Sequence, residues 1–337
     1  MTDQAAPPRS ISGLLAAVPG IVGVIVAFVV AIAQYAGIDG GTTKRLSGLD
    51  AFLGFPYVGI SIVFFSLFVA LFLGQTAGAR YRHGLWVGAI VVAGVGTIFQ
   101  LLAIVFSFSW VAVVLLVAAI ATLIFTISGC REAKRTPTTA QVARGERTIV
   151  FGVVLVVAGL AGLTAAYNLS VDKVTAILSP ATKLNCSFSL IVECGTNLKS
   201  WQGSLFGFPN PLIGLGGFAV VLVIGIATLA GVSYRRWWWV AFNAAVLGAF
   251  AFITFLIISS VYVIGTLCVW CALVWIVTIP LFWITTIGNL KNGNLRVGPR
   301  ATTFFRGAYT WVPLITLLCY VIIFLIYETQ LNLLANL

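Results

Sequence analysis

The sequence predicts an all-α polytopic membrane protein of about nine transmembrane helices, and three observations predict it. Of its 337 residues 61% are hydrophobic and only 8% charged, too little charge to coat a water-soluble domain. Apolar runs of about 20 residues, enough to cross a ~30 Å hydrocarbon core, recur along the whole length. The basic residues collect on one side of those runs, as they do on the cytoplasmic side of a membrane protein.

The runs fall at 11–36, 57–79, 84–107, 109–129, 148–168, 210–232, 237–262, 266–287 and 308–329. The first is too long, and too quickly followed by others, to be a cleaved signal peptide. With the N-terminus inside, Arg80 and Arg82, the segment Arg131 to Arg147, Arg235 and Arg236, and Lys291 to Arg306 all face the cytoplasm. With Arg9 these make fourteen of the nineteen Lys and Arg, against three acidic residues, so this face carries the whole net charge of +11. The opposite face nets zero, and the basic balance needs no nucleic-acid partner.

Sliding the chain against itself by 153 positions lays Gly54-Phe55-Pro56 on Gly207-Phe208-Pro209 and Tyr81-Arg82 on Tyr234-Arg235. Ile60, Phe65, Ala77-Gly78 and Trp86-Val87 find matches at the same offset. A duplication is the reading that follows. A first, degenerate four-helix bundle occupies 1–130, a basic cytoplasmic linker 131–147, and a second four-helix bundle 148–287 with an outer loop at 170–209. A cytoplasmic loop and a fifth helix fill 288–337. Leu115 and Ala118 stand where Cys268 and Cys271 stand in the second copy, so any thiol chemistry belongs to the second copy.

The charge-based orientation puts four of the six cysteines together on the outer side, where disulfides persist. Cys186 and Cys194 lie in the longest polar loop, among Asp172, Lys173, Lys183, Asn185, Glu193, Asn197 and Lys199. Loops of that length in a compact bundle are usually functional. Cys268-Val-Trp-Cys271 opens an apolar helix, where the partly positive N-terminus and free N–H groups stabilise a thiolate. A thiolate of that kind makes a good leaving group and a ready shuttle for electrons. Inert small residues, or half of a zinc site, are the other readings. Zinc takes its thiolates from two tight hooks, and the seven-residue gap between Cys186 and Cys194 is not one, so no metal is expected. Cys130 and Cys319 read as packing residues, and His83, beside Arg82, as a solvated interfacial group.

The order of features over 148–330 resembles the vitamin K epoxide reductase family, in particular its bacterial, actinobacterial-type, disulfide-forming members. The resemblance rests on Cys186-x7-Cys194, Ser200 six residues on, and the run Ser204-Leu-Phe-Gly-Phe-Pro-Asn-Pro-Leu-Ile-Gly-Leu215. Tyr262-Val-Ile-Gly-Thr-Leu-Cys268-Val-Trp-Cys271 and Val277-Thr-Ile-Pro-Leu-Phe-Trp283 complete it. It implies a four-helix bundle around a quinone, with redox-active disulfides. Cys268 would exchange with the loop pair and Cys271 would face the quinone. Asn210 would hydrogen-bond a quinone oxygen, Ser200 would support the loop, and Phe206 and Trp275 would stand near the ring. Independently, an amide near the membrane end of a helix is costly unless bonded. Gly195 departs from the serine common in the family after the second loop cysteine. Many bacterial members also carry a fused thioredoxin-like domain, which is not found before Leu337, so a separate donor is implied.

The function expected is a quinone-dependent thiol oxidase of the bacterial plasma membrane. Electrons would come from a periplasmic thioredoxin-fold, DsbA-like protein and leave to the quinone pool, menaquinone rather than ubiquinone by the same resemblance. Two other readings stand beside it. One is a dithiol-dependent quinone or quinone-epoxide reductase, separated from the first by the redox poise of its thiol partner. The other is a non-enzymatic membrane protein with structural disulfides, against which the scarcity of charge within the spans argues.

Overall fold

The computed structural model describes residues 11–41, 45–46, 48–135, 146–182, 184, 186–189 and 191–336. Asp3, Arg9, Lys44, Arg144, Lys183, Asn185 and residues 136–145 of the predicted linker lie outside them. Among the described residues, nine helices are long and apolar enough to cross a membrane, so the chain is a multi-pass membrane protein. Each predicted run has its helix.

The first bundle comprises α1 (Ile11–Asp39), a short α2 (Gly48–Leu53), α3 (Val58–Thr76), α4 (His83–Phe106) and α5 (Trp110–Arg135). α1 lies against α3 and α5, and α4 against α5. The second has α6 (Glu146–Leu178), the short α7 (Gly195–Lys199), α8 (Pro211–Leu229), α9 (Arg236–Ser259) and α10 (Val269–Lys291). There α6 packs along α8 and α10, and α9 along α10. An amphipathic α11 (Pro299–Ala308) leads into α12 (Val312–Leu331), which docks on α10. The bundles join mainly through α3 and α8.

Helix bounds depart from the expectation in three places. α5 and α6 run through Arg135 and from Glu146, so both ends of the predicted linker are helical. α11 occupies part of what was read as a plain cytoplasmic loop. The most consequential change is at α6, which continues ten residues past the predicted end at 168. At 1.5 Å per residue its 33 residues span about 50 Å, so its last turns rise beyond the hydrocarbon core. The polar stretch beginning at Ser170 is therefore helix rather than loop, and Asp172 and Lys173 are buried on it.

Several features recur 153 residues apart. α3 and α8 have equivalent first and last residues, and so do α4 and α9. Each of α3 and α8 is entered after a glycine with positive φ, Gly54 at 75° and Gly207 at 80°, and left through another, Gly78 at 83° and Gly231 at 80°. These are left-handed positions that favour glycine. The edge-to-face pair Tyr81–Trp86, with ring centroids 5.8 Å apart, has its counterpart in Tyr234–Trp239 at 5.6 Å.

Candidate active site

Four cysteines meet where the α6–α8 connection folds over the start of α10. Cys186 and Cys194 form a disulfide, and Cys268 Sγ lies 3.0 Å from Cys194 Sγ. Cys268 is the N-cap of α10, in extended conformation, and its sulfur accepts from the Cys271 N–H at 3.4 Å. A first-turn N–H of α10 thus points at the sulfur where charge develops. Cys194 in turn precedes α7, whose first N–H groups, Gly195 and Thr196, donate to the Glu193 carboxylate at 3.2 and 2.6 Å.

The connection is pinned to the α9–α10 turn at two points. Leu267 N donates to Ile191 O (2.7 Å), and Asn197 Nδ2 to Thr266 Oγ1 (2.7 Å). That turn is itself tight. A π-helical turn at Ser260–Ile264 ends in Gly265 with φ 75°, and Ser260 Oγ donates to Thr266 O. Lys173 Nζ donates to Leu198 O at 2.8 Å, tying α7 to α6. The loop cysteines, read from sequence as lying in an open polar connection, are consequently enclosed: Cys186 is 2% exposed and Cys194 fully buried.

Beneath this cluster lies a cavity of about 620 Å³ between α6, α8, α9 and α10. Cys271, Ser200, Phe206, Asn210 and Trp275 all line it. Its walls are otherwise largely apolar, with Phe218, Phe242, Phe252, Val246 and Ile253 prominent, and a few polar groups, including Asn197 and Gln202. Volume and lining suit a flat apolar ring with carbonyl edges. Asn210 Nδ2 donates to Gln202 O (2.6 Å) and its Oδ1 accepts from Leu205 N (3.2 Å). One amide proton remains for a ligand. Ser200 Oγ donates to Asn197 O (2.7 Å) and accepts from Gly203 N (3.3 Å), capping the 3-10 turn Trp201–Ser204.

Sequence reasoning gave no site role to Asp172, Lys173, Asn197, Gln202 or Phe208. The last forms an aromatic chain, stacking on Phe206 at 6.1 Å and meeting Phe28 of α1 edge-on at 4.9 Å. The donor atoms of Asp172, Cys186 and Cys194 lie within 4.8 Å of one another, but the two sulfurs are bonded to each other and offer no thiolate pair. Cys130, near the far end of α5, and Cys319, on α12, are half-buried free thiols.

A buried disulfide in contact with a dithiol turn, above an apolar cavity in a helical bundle, defines a membrane-embedded dithiol oxidoreductase. Residues 153–286, which contain all four cysteines, match the family model described as the vitamin K epoxide reductase family. Over this segment the chain is similar to that family, whose members are quinone-associated oxidoreductases with redox cysteines. No curated protein and no solved structure matches the chain.

Proposed function

We propose that this protein is a quinone-linked thiol oxidase of a bacterial plasma membrane, driving disulfide formation in exported proteins. The observation that carries this is the 3.0 Å approach of Cys268 to Cys194, with Cys271 lining the cavity below. A separate reduced thioredoxin-fold protein on the outer face reduces the Cys186–Cys194 bond, which requires the connection over the cluster to open. Cys194 then attacks Cys268 of a Cys268–Cys271 disulfide, and Cys271 leaves as the thiolate, one turn inside α10. The bond between Cys194 and Cys268 returns to Cys186, restoring the loop pair.

Asn210, Ser200, Phe206 and Trp275 would hold the quinone, menaquinone by family resemblance. Asn210 would supply its free N–H, Phe206 and Trp275 would offer the aromatic surface, and Ser200 fixes the loop by its bonds to Asn197 and Gly203. When bound, the quinone supplies a two-electron, two-proton acceptor, and Cys271 is where electrons leave the chain. The N-terminus faces the cytoplasm and the cysteines the periplasm, an orientation supported by the one-sided Lys and Arg. The first bundle is a degenerate copy of the second, an origin supported by the shared 153-residue spacing of helix ends and turn glycines.

Quinone reduction by purified protein with a reduced thioredoxin-fold donor tests this. Cys268→Ala and Cys271→Ala should each abolish it, and retained turnover refutes the relay. Membrane-impermeant thiol reagents applied from outside, after reduction, should label Cys186 or Cys194; labelling only from the cytosol refutes the orientation.

A further inference from the structure

Asp172 is a buried carboxyl placed directly on a reacting sulfur. It sits on the last turns of α6, 5% exposed, with Oδ2 3.3 Å from Cys186 Sγ. A carboxyl is rarely so buried without a task or a partner. Its neighbour Lys173 is also buried, but its ammonium is spent on the Leu198 carbonyl. The Asp39 carboxylate of α1 acts on Lys173. From α10, the Trp270 indole faces Asp172, with Cys268 and Cys271 as the nearby titratable groups. Cys186 itself has no helix N-terminus behind it, unlike Cys268, which caps α10. Its sulfur must therefore gain and lose a proton by another route.

We propose that Asp172 is the proton acceptor and donor for Cys186 in the return of the disulfide from Cys194–Cys268 to Cys186–Cys194. This rests on the relay proposed above. In that step the Asp172 carboxylate takes the proton of the Cys186 thiol, and the sulfur attacks Cys194 Sγ. The Cys186–Cys194 bond forms, the Cys194–Cys268 bond breaks, and Cys268 leaves as the thiolate held by the Cys271 N–H. One thiol and one disulfide enter, one disulfide and one thiolate leave, and the proton rests on Asp172, so no external oxidant is needed. In reverse, the protonated Asp172 delivers its proton to the departing Cys186 sulfur. The Cys186 proton thus moves only between sulfur and carboxyl, while Cys268 carries its charge on the Cys271 N–H.

The test follows the transient Cys194–Cys268 bond rather than turnover. Full-length protein in nanodiscs, with both disulfides formed, receives one equivalent of dithiothreitol. Samples are acid-quenched, alkylated and mapped by mass spectrometry. In wild-type protein the mixed disulfide should decay quickly and at a rate nearly level between pH 6 and pH 8. In Asp172→Asn, similar in shape but unable to accept the proton, decay should slow about 100-fold near pH 6, within the usual range for a lost general base. That deficit should shrink about tenfold per pH unit as the thiol ionises unaided. Asp172→Glu should recover most of the rate. An Asp172→Asn protein with wild-type decay overturns the assignment, as does one slowed equally at every pH and not rescued by Glu, which marks a packing role. Wild-type protein that never forms the Cys194–Cys268 bond overturns the relay itself, and this assignment with it.

Discussion

The two bundles share a spacing and differ in what fills it. Four positions that line the cavity in the second bundle are Gly214, Gly217, Val221 and Ile253. The positions 153 residues earlier are Ser61, Phe64, Phe68 and Gln100. Gln100 Nε2 donates to Ser61 Oγ at 2.9 Å, both fully buried. The Phe64 ring presses on Gly96 so closely that a Cβ there would come within 2.1 Å of it. Where one bundle keeps open space, the other has two aromatic rings and a hydrogen-bonded amide. Leu115 and Ala118, both buried, stand in place of the dithiol. The dithiol and the open space therefore stand in the same bundle, which is expected if the cavity serves the sulfurs.

Making the second bundle resemble the first should disable it in steps. The largest effect comes from Cys271→Ala, which installs the residue found at 118. Quinone reduction should fall to background while Cys186–Cys194 stays formed, checked by turnover and alkylation mapping. Cys130→Ala and Cys319→Ala should leave the rate within about twofold, since surface or packing substitutions of small size cost little.

Gly217→Phe comes next and separates cavity from thiols. A Cβ at Gly217 meets nothing within 4 Å, so the ring can enter the cavity without displacing backbone, as Phe64 does in the other bundle. Quinone reduction should drop at least about 100-fold, the scale of misplacing a reactant by an ångström. Exchange between the loop pair and Cys268 under dithiothreitol should be unchanged. Equal loss of both activities would mean the ring distorts α8 rather than fills the cavity.

A smaller effect tests whether the first bundle touches the site at all. Phe28 of α1 supports Phe208, and Phe208 supports Phe206 at the cavity wall. An edge-to-face pair contributes about 0.5–1.5 kcal/mol beyond its burial. Phe28→Ala should therefore raise the KM for quinone by roughly twofold to tenfold, with kcat little changed. An unaltered KM would make the first bundle a passive neighbour.

The nine spans were legible because lipid leaves hydropathy little room to mislead, and the four sulfurs because of their spacing. Burial of polar residues was not. Asp172 and Lys173 read as loop by polarity, yet tertiary contacts with Cys186 and Leu198 carry α6 on past the apolar run. The closed state of the loop pair was hidden for the same reason: Asn197 and Leu267 pin the connection through partners 69 and 76 residues away. Phe206 and Trp275, expected near a quinone ring by resemblance, line the cavity, but no local pattern pointed to Phe208 bridging to Phe28. The 153-residue register, by contrast, was visible in Gly54 and Gly207 before their backbone angles were known.

The smallest difference lies in how each bundle closes the turn before α3 or α8. In the second, Asn210 N donates to the Gly203 carbonyl at 3.0 Å. In the first, the equivalent Tyr57 N donates to the Asp50 carboxylate at 2.7 Å. Burial pushes the Asp50 carboxyl up, only partly offset by the Tyr57 bond. A carboxyl raised in the fold adds stability below its unfolded value, about 3.9, and loses it as pH rises through the folded value. Asp50→Asn keeps the acceptor and removes the charge, so it should equal wild type near pH 4. At pH 7 it should melt higher, by on the order of 2 °C, in detergent-solubilised protein. A lower melting point at pH 7 would show that the charge itself, and not only the acceptor, holds this turn.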